Sequence, residues 1–186
     1  KDTLSLHDAL PISPARAYGL LLSAIRDPDP VVVFEPKRLY RAGREAVAED
    51  GAGLPIGRAF TLREGRDLTI VTWGACVREA AGAAETLAGE GIEAELIDLA
   101  TLKPWDAETV LDSVRRTGRC VILHEAPRTG GFGAEVAARF AEEALESLLA
   151  PVRRVTAPDI IPPLPRLEHL YLPTAEAAAE AAREAM

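Results

Sequence analysis

Cys120-Val121-Ile122-Leu123-His124-Glu125-Ala126-Pro127-Arg128-Thr129-Gly130-Gly131-Phe132-Gly133-Ala134-Glu135 is the stretch on which the reading of this chain turns. Four apolar residues, two of them β-branched, form a short run of the kind that lies buried in a sheet. A glycine-rich turn follows. Phe132, Val136, Phe140, Ala144 and Leu148 then recur on one stripe, which predicts a long helix. Strand, glycine turn and helix together make one half of a βα unit. In open α/β sheets, ligands gather where the carboxyl end of a strand meets the next helix. His124 and Glu125 stand at that corner, so it is the first place to look for chemistry.

The same alternation extends in both directions. Downstream, Pro151–Thr156 reads as a strand, Pro158–Pro165 as a proline-rich loop, and the residues after Thr174 as a last helix. Upstream, Leu68–Trp73 and Ala94–Leu99 read as strands. Val77, Ala80, Ala84 and Leu87 form a helix stripe between them. Lys103-Pro104-Trp105-Asp106 opens another helix, which carries Val110, Leu111 and Val114 and stops at Gly118. Strands alternating with amphipathic helices predict a three-layer αβα domain on a mainly parallel sheet, over residues 67–186. Its crossovers are expected to be right-handed.

Residues 14–41 form a separate piece. Ser13-Pro14 is a helix start, with Ser as N-cap and Pro at the first helical position. Tyr18, Leu21, Leu22 and Ile25 follow at helical spacing, and the prolines of Asp27-Pro28-Asp29-Pro30 end the helix. Val31-Val32-Val33-Phe34 is a continuous apolar run expected to be buried in a parallel sheet. Residues 42–66 lack periodicity and read as a linker, with a short strand near Arg58–Leu62. Residues 1–13 differ from the rest. Their text resembles translated sequencing-adaptor read-through, so they are expected to be a non-native leader in which His7 and Asp8 carry no chemistry. The natural protein is then expected to continue upstream.

Composition narrows the function. The 186 residues are 48% hydrophobic with a formal net charge of -8, which argues against nucleic acid or an anionic membrane as the main partner. No apolar run approaches the roughly 20 residues of a membrane helix. Cys76 and Cys120 sit in apolar surroundings and read as buried free thiols, suited to a reducing cytosol and a cytoplasmic location. His7, His124 and His169 have no metal-ligand spacing, and no metal is expected in this chain.

The candidate sites each admit two readings. Gly130-Gly131-Phe132-Gly133 at a helix start could cradle an anion through free N–H groups. It matches neither dinucleotide nor P-loop spacing, and a tight strand-to-helix reversal needs such glycines for steric reasons alone. His124 is the one catalytic candidate, a general acid or base. The alternative is a ring that donates to a neighbouring loop carbonyl. Glu125 points to the opposite face of the strand and cannot pair with it there. Glu135 complements the helix dipole. Trp73 and Trp105 read as core or interface residues. Ile160-Ile161-Pro162-Pro163-Leu164-Pro165 is apolar yet cannot be regular structure, and reads as packed on its own domain or as a subunit contact.

Taken together, these pieces resemble the C-terminal part of the β subunit of the thiamine-diphosphate-dependent 2-oxoacid dehydrogenases. The text that carries the resemblance is Gly19-Leu20-Leu21, Ala24-Ile25-Arg26, Asp29-Pro30-Val31-Val32, Glu35-Pro36-Lys37-Arg38-Leu39-Tyr40-Arg41 and Thr72-Trp73-Gly74. It continues through Glu95–Leu99, Leu102–Asp106, the opening stretch and Glu168–Pro173. His-Glu-Ala-Pro at 124–127 and Lys-Arg-Leu-Tyr-Arg at 37–41 look more like the branched-chain subgroup than the pyruvate one.

The resemblance implies a transketolase C-terminal-like domain, preceded by the remnant of a pyrimidine-binding domain. It implies thiamine diphosphate and magnesium in the intact enzyme, with the cofactor and cation contacts outside this chain. It implies an α subunit, a second β subunit in an α2β2 tetramer, and a lipoyl acyltransferase core as partners. Phe132, Ile160, Ile161, Leu164, His169 and Tyr171 are the interface candidates. The chain alone is expected to be inactive.

Overall fold

The computed structural model describes residues 5–186. Lys1–Leu4, the start of the expected leader, lie outside the described residues. The chain divides into two compact units. One takes residues up to Phe60 together with Trp73–Ala75 and Leu99–Asp106; the other takes Thr61–Thr72, Cys76–Asp98 and Ala107–Met186.

In the first unit, β1 (His7–Ala9) pairs in parallel with β2 (Val31–Val33), and α1 (Pro14–Arg26) connects them. The Ser13 hydroxyl accepts from Arg16 N–H and Pro14 occupies the first turn, so α1 starts where its sequence signals place it. Its core is small: Ala9, Leu20 and Ala100 are buried, with Val33, Leu54 and Phe60 against them. Along the run Val31–Phe34, Val32 is 40% exposed and Phe34 53%; a helix and strand alone cannot bury both faces of such a run. A sheet of two strands has no second layer to cover its outer face. Residues 42–59 run back along α1. Leu54 N–H donates to Gly19 O, and Gly51 N–H donates to the Tyr18 hydroxyl. The Leu54 side chain fills the space above Gly19, where a Cβ would lie 2.5 Å from Leu54 Cγ.

The second unit carries the larger sheet. Its strands are β3 (Phe60–Arg63), β4 (Leu68–Thr72), β5 (Ala94–Asp98), β6 (Cys120–Pro127) and β7 (Arg153–Ala157), in the order β3-β5-β4-β6-β7. β4 pairs in parallel with both β5 and β6, and β6 pairs in parallel with β7. The helices are α2 (Val77–Gly89), α3 (Ala107–Thr117), α4 (Gly133–Glu143) and α5 (Ala175–Arg183). Thr174 caps α5 by accepting from Ala177 N–H.

The period of two along the strands sorts the two faces. Leu68 and Ile70 of β4, Ala94 and Leu96 of β5, and Val121 and Leu123 of β6 join one core with the apolar stripes of α2 and α5. The alternate residues face α3 and α4. On that side Thr69 bonds Ser113 and Thr117 of α3, at 2.6 and 2.8 Å, and Glu95 takes Arg116 Nη2 at 2.7 Å. This is the expected three-layer α/β/α arrangement on a mainly parallel sheet.

Three boundaries differ from the sequence reading. The strand expected near Arg58–Leu62 is β3, at Phe60–Arg63. Lys103–Asp106 is a loop ahead of α3, which starts at Ala107, and the Lys103–Pro104 peptide is cis. The helix expected to reach Leu148 ends at Glu143, and a 3-10 turn, Leu145–Ser147, follows. Leu148 is extended, and Leu149 N–H donates to Gly118 O.

Candidate functional site

β6 runs four residues further than its apolar run, to Pro127, with a register irregularity against β7 between His124 and Pro127. His124 therefore lies inside the strand. It is fully buried on the α4 side of the sheet, with Ile122 two residues before it. Glu125 is partly exposed and Ala126 exposed. His124 and Glu125 do not form one site.

Two of the turn glycines are explained by this ring. A Cβ at Gly133 would overlap His124 Nε2, and would lie 2.5 Å from Cδ2 and 3.1 Å from Ile122 Cγ2. A Cβ at Gly131 would overlap Pro127 O and lie 2.7 Å from His124 Cε1. Neither glycine has a positive φ; only Gly130, at 75°, needs the left-handed region. The turn thus combines one glycine for the reversal with two that let the backbone lie against a buried imidazole. The close approach to His124 is what the sequence reading missed. Glycines without a turn role, next to a histidine, are the signal that could have shown it.

Burial pushes the His124 imidazole down to about 4 from its ordinary 6.5; the Arg154 charge on β7 adds to this, and a backbone hydrogen bond with Ala126 opposes it. The ring is neutral near pH 7 and walled by backbone.

The turn does not fit a diphosphate. Thr129 N–H donates to Asp159 Oδ1 at 2.8 Å and the Thr129 hydroxyl donates to Oδ2 at 2.7 Å, so an internal carboxylate already holds these donors. Gly131 and Gly133 are buried against His124, and Ala134 N–H is taken by Gly131 O. The Asp159 carboxyl is held below its usual 3.8 first by the Thr129 N–H and then by the Thr129 hydroxyl. Arg128 Nη1 donates to Arg154 O, and Arg154 Nη1 to Arg128 O.

The interface candidates separate by exposure. Ile160, Ile161 and Leu164 are 60%, 90% and 81% exposed, and Leu167 and Leu170 extend the same apolar surface through the 3-10 segment Pro165–Leu170. His169 is exposed and Phe132 half-buried, whereas Tyr171 is buried. Pro127, Thr129 and Asp159 share an open depression with Ile160 and Ile161. The structure thus joins the glycine turn and the proline-rich loop, two motifs far apart in sequence, on one surface.

Cys76 and Cys120 are buried free thiols, and burial pushes the Cys120 thiol far above its usual range. His7, Asp27 and Asp29 come together in the first unit, a cluster that sequence spacing did not reveal. His7 Nδ1 faces Asp27 Oδ1 at 3.6 Å and Nε2 faces Asp29 Oδ2 at 3.8 Å. One ligand atom from each of the three residues lies within 4.8 Å of the others.

The fold and the turn define the class of protein. Residues 57–177 match the family described as transketolase, C-terminal domain, and the chain belongs to that family. Its relatives are more particular. The chain is 53% identical over 165 residues to 2-oxoisovalerate dehydrogenase subunit beta 2, mitochondrial, of Arabidopsis thaliana, covering 89% of this chain and 46% of that protein. It is 44% identical over 177 residues to the pyruvate dehydrogenase E1 component subunit beta of Bacillus subtilis, covering 95% of this chain and 54% of that one. The chain thus spans about half the length of the curated relatives it matches. Among solved structures it is similar to a split-gene transketolase titled an inactive beta4 tetramer. There the TM-score is 0.81 and the identity 31%, over 97% of this chain and 58% of that one. A transketolase mutant of Pichia stipitis shares the fold, with a TM-score of 0.63 at 15% identity.

Proposed function

We propose that this chain is the C-terminal part of the β subunit of the decarboxylating component of a branched-chain 2-oxoacid dehydrogenase complex. The observation that carries the reading is its 53% identity to a 2-oxoisovalerate dehydrogenase β subunit across 89% of its residues. Identity to the pyruvate enzyme's subunit is lower, at 44%. A pyruvate-type subunit is the second reading, favoured by matches at 44% identity to the β subunits of pyruvate dehydrogenases of Bacillus subtilis and Staphylococcus aureus. In the intact enzyme, thiamine diphosphate with magnesium would supply the decarboxylation chemistry. The glycine turn, its Thr129 donors engaged by Asp159, is not read as a holder of that diphosphate.

The chain's own contribution is assembly. The exposed apolar surface from Ile160 to Leu170 is of the kind that covers a subunit or a docking partner. The partners are an α subunit, a second β subunit and the lipoyl acyltransferase core. Among the described residues no helix is long and apolar enough to cross a membrane.

The test is co-expression of the chain with an α subunit of a branched-chain complex and with the subunit-binding domain of its acyltransferase. Co-purification with either supports the reading. Failure to bind both, or 2-oxoacid decarboxylation by the chain alone, would overturn it.

A further inference from the structure

The two-stranded sheet of the first unit has one open edge. On one side β1 is closed by the segment 100–103, where Asp8 N–H donates to Lys103 O and Leu10 N–H to Ala100 O. On its other side it bonds β2. His7 N–H donates to Pro30 O at 3.0 Å, and Phe34 N–H donates to Ala9 O at 2.8 Å. The even-numbered residues of β2 therefore face β1, and Val31, Val33 and Glu35 turn their N–H and C=O groups to the opposite edge. Among the described residues no backbone hydrogen bond reaches these three. Sheet edges are commonly blunted by a charge, a bulge or a proline. Here Pro30 and the extended Pro36 are even-numbered, so the donors they lack belong to the β1 side. No charged residue stands between Pro30 and Phe34. Val33 packs toward Leu20 of α1. Alternation puts the exposed Val32 and Phe34 on the other face.

We propose that this edge is a self-association site, at which β2 of one copy pairs antiparallel with β2 of a second copy about a two-fold axis at Val33. The inference stands on this geometry and not on the family reading. The register follows from which groups are free. Val33 of each copy exchanges N–H and C=O with Val33 of the other, and Val31 does the same with Glu35. Every free group of the edge then has a partner. The same register sets Phe34 opposite Val32 of the second copy, in the closer, non-hydrogen-bonded kind of pair. Aromatic and β-branched residues stabilise a sheet in such pairs. Both pairs lie on the face away from α1 and join into one apolar strip. Where the strand ends, the exposed Lys37 comes to Asp29 of the second copy. Other registers lose this match. Centred on Val32, the pairing turns the free groups away from each other and sets Glu35 against Asp29. Centred on Val31, it sets Glu35 against Asp27. The occupant is a second copy because the strand answers its own pattern about this axis, in hydrogen bonds, apolar pairs and end charges together.

The paired surface is narrow. A strand edge with its flanking side chains belongs with the interfaces below ~1,200 Å², which hold weak, exchanging complexes. The dimer is therefore expected to form as concentration rises and to dissociate on dilution. Because the axis is two-fold, each substitution acts twice. Phe34 and Lys37 are exposed and can be changed without touching the buried Ala9, Leu20 and Ala100.

The experiment is sedimentation velocity on the whole chain over a concentration series, with amide hydrogen exchange followed by NMR on the same samples. The expected result is a species of twice the 19.9 kDa monomer mass that grows with concentration. Over the same series the amides of Val31, Val33 and Glu35 gain protection, whereas Val32, bonded to β1, is protected throughout. Phe34→Lys sets a lysine against Val32 of the second copy and is expected to weaken the dimer about tenfold. Lys37→Glu and Asp29→Lys each weaken it several-fold, and the double variant recovers the natural affinity. A chain that stays monomeric throughout overturns the proposal. So does a dimer that Phe34→Lys leaves intact, or one that is lost in Ile161→Lys, which would place the contact on the Ile160–Leu170 surface. The charge exchange keeps the test decisive if Phe34→Lys does not fold: recovery in the double variant supports the register, and no recovery overturns it.

Discussion

Replacing Gly133 with alanine would put a methyl carbon 2.5 Å from His124 Cδ2 and 3.1 Å from Ile122 Cγ2, and in overlap with Nε2. Unstrained carbon contacts lie at ~3.5–4.0 Å, so the ring would have to retreat by about 1 Å. It is fully buried and has nowhere to go. Overpacking of this kind costs ~1–3 kcal/mol. Against that, alanine gains up to ~1 kcal/mol of helix propensity over glycine, and less here because Gly133 is the first residue of α4. The net expectation is a loss of about 1–2 kcal/mol in the natural background. In a His124→Ala background the obstacle is gone, and Gly133→Ala is expected to be neutral or stabilising by up to ~1 kcal/mol. His124→Ala itself removes a buried ring and costs on the order of 3 kcal/mol. The assay is urea unfolding of the four proteins of this cycle, followed by circular dichroism. A coupling energy of about 2 kcal/mol is expected. If Gly133→Ala costs the same in both backgrounds within ~0.5 kcal/mol, the imidazole is not why position 133 is glycine.

Three further outcomes are expected. Arg116→Met leaves the Glu95 carboxylate, 1% exposed, without its cation. The loss should be about 3 kcal/mol, at the low end for a broken buried pair because Arg116 is half exposed, and the double variant with Glu95→Leu should recover most of it in urea unfolding. Gly65→Ala would drive a Cβ into the backbone of Glu93–Glu95, which cannot yield as a side chain can; a loss of about 3 kcal/mol, at the top of the overpacking range, should show as a lowered Tm. Asp159 has its carboxyl held below 3.8 by the Thr129 N–H first. Its contribution is therefore present above the unfolded value of 3.8 and lost as pH falls through the lower folded value. The Tm difference between the natural chain and Asp159→Asn should be constant above about pH 5 and shrink below about pH 4; a difference that grows on acidification contradicts that sign.

Much of the fold was legible because burial imposes a period. Leu68, Ile70, Val121 and Leu123 alternate with Thr69, Val71 and Ile122, and the helix stripes of α2 and α5 answer the first set. Ser13-Pro14 and Thr174 announced their helices through hydrogen bonds that form within three residues. What was not legible depends on partners distant in sequence. β6 continues past Leu123 because β7 pairs with it, at His124–Thr156 and Pro127–Ala157, and no local feature of His124–Pro127 foretells that. The stripe that ran on to Leu148 was broken by the turn at Leu145–Ser147, although apolar spacing alone allowed a helix to continue. The polar layer under α3, where Thr69 meets Ser113 and Thr117, looks in sequence like three unrelated surface residues. The meeting of Thr129 with Asp159 lies 30 residues apart and is set by two strand ends lying side by side.

The candidate site follows the same logic. A general acid or base must reach a substrate and change charge near the working pH. His124 is sealed by the backbone of the turn that follows it and stays neutral until about pH 4. Those are the properties of a ring that shapes a loop. The glycines that first suggested a phosphate cradle are small because the imidazole fills the space their side chains would take. What remains exposed at this corner is Thr129 held by Asp159, flanked by Ile160 and Ile161. That surface joins an apolar wall to a carboxylate already engaged by Thr129.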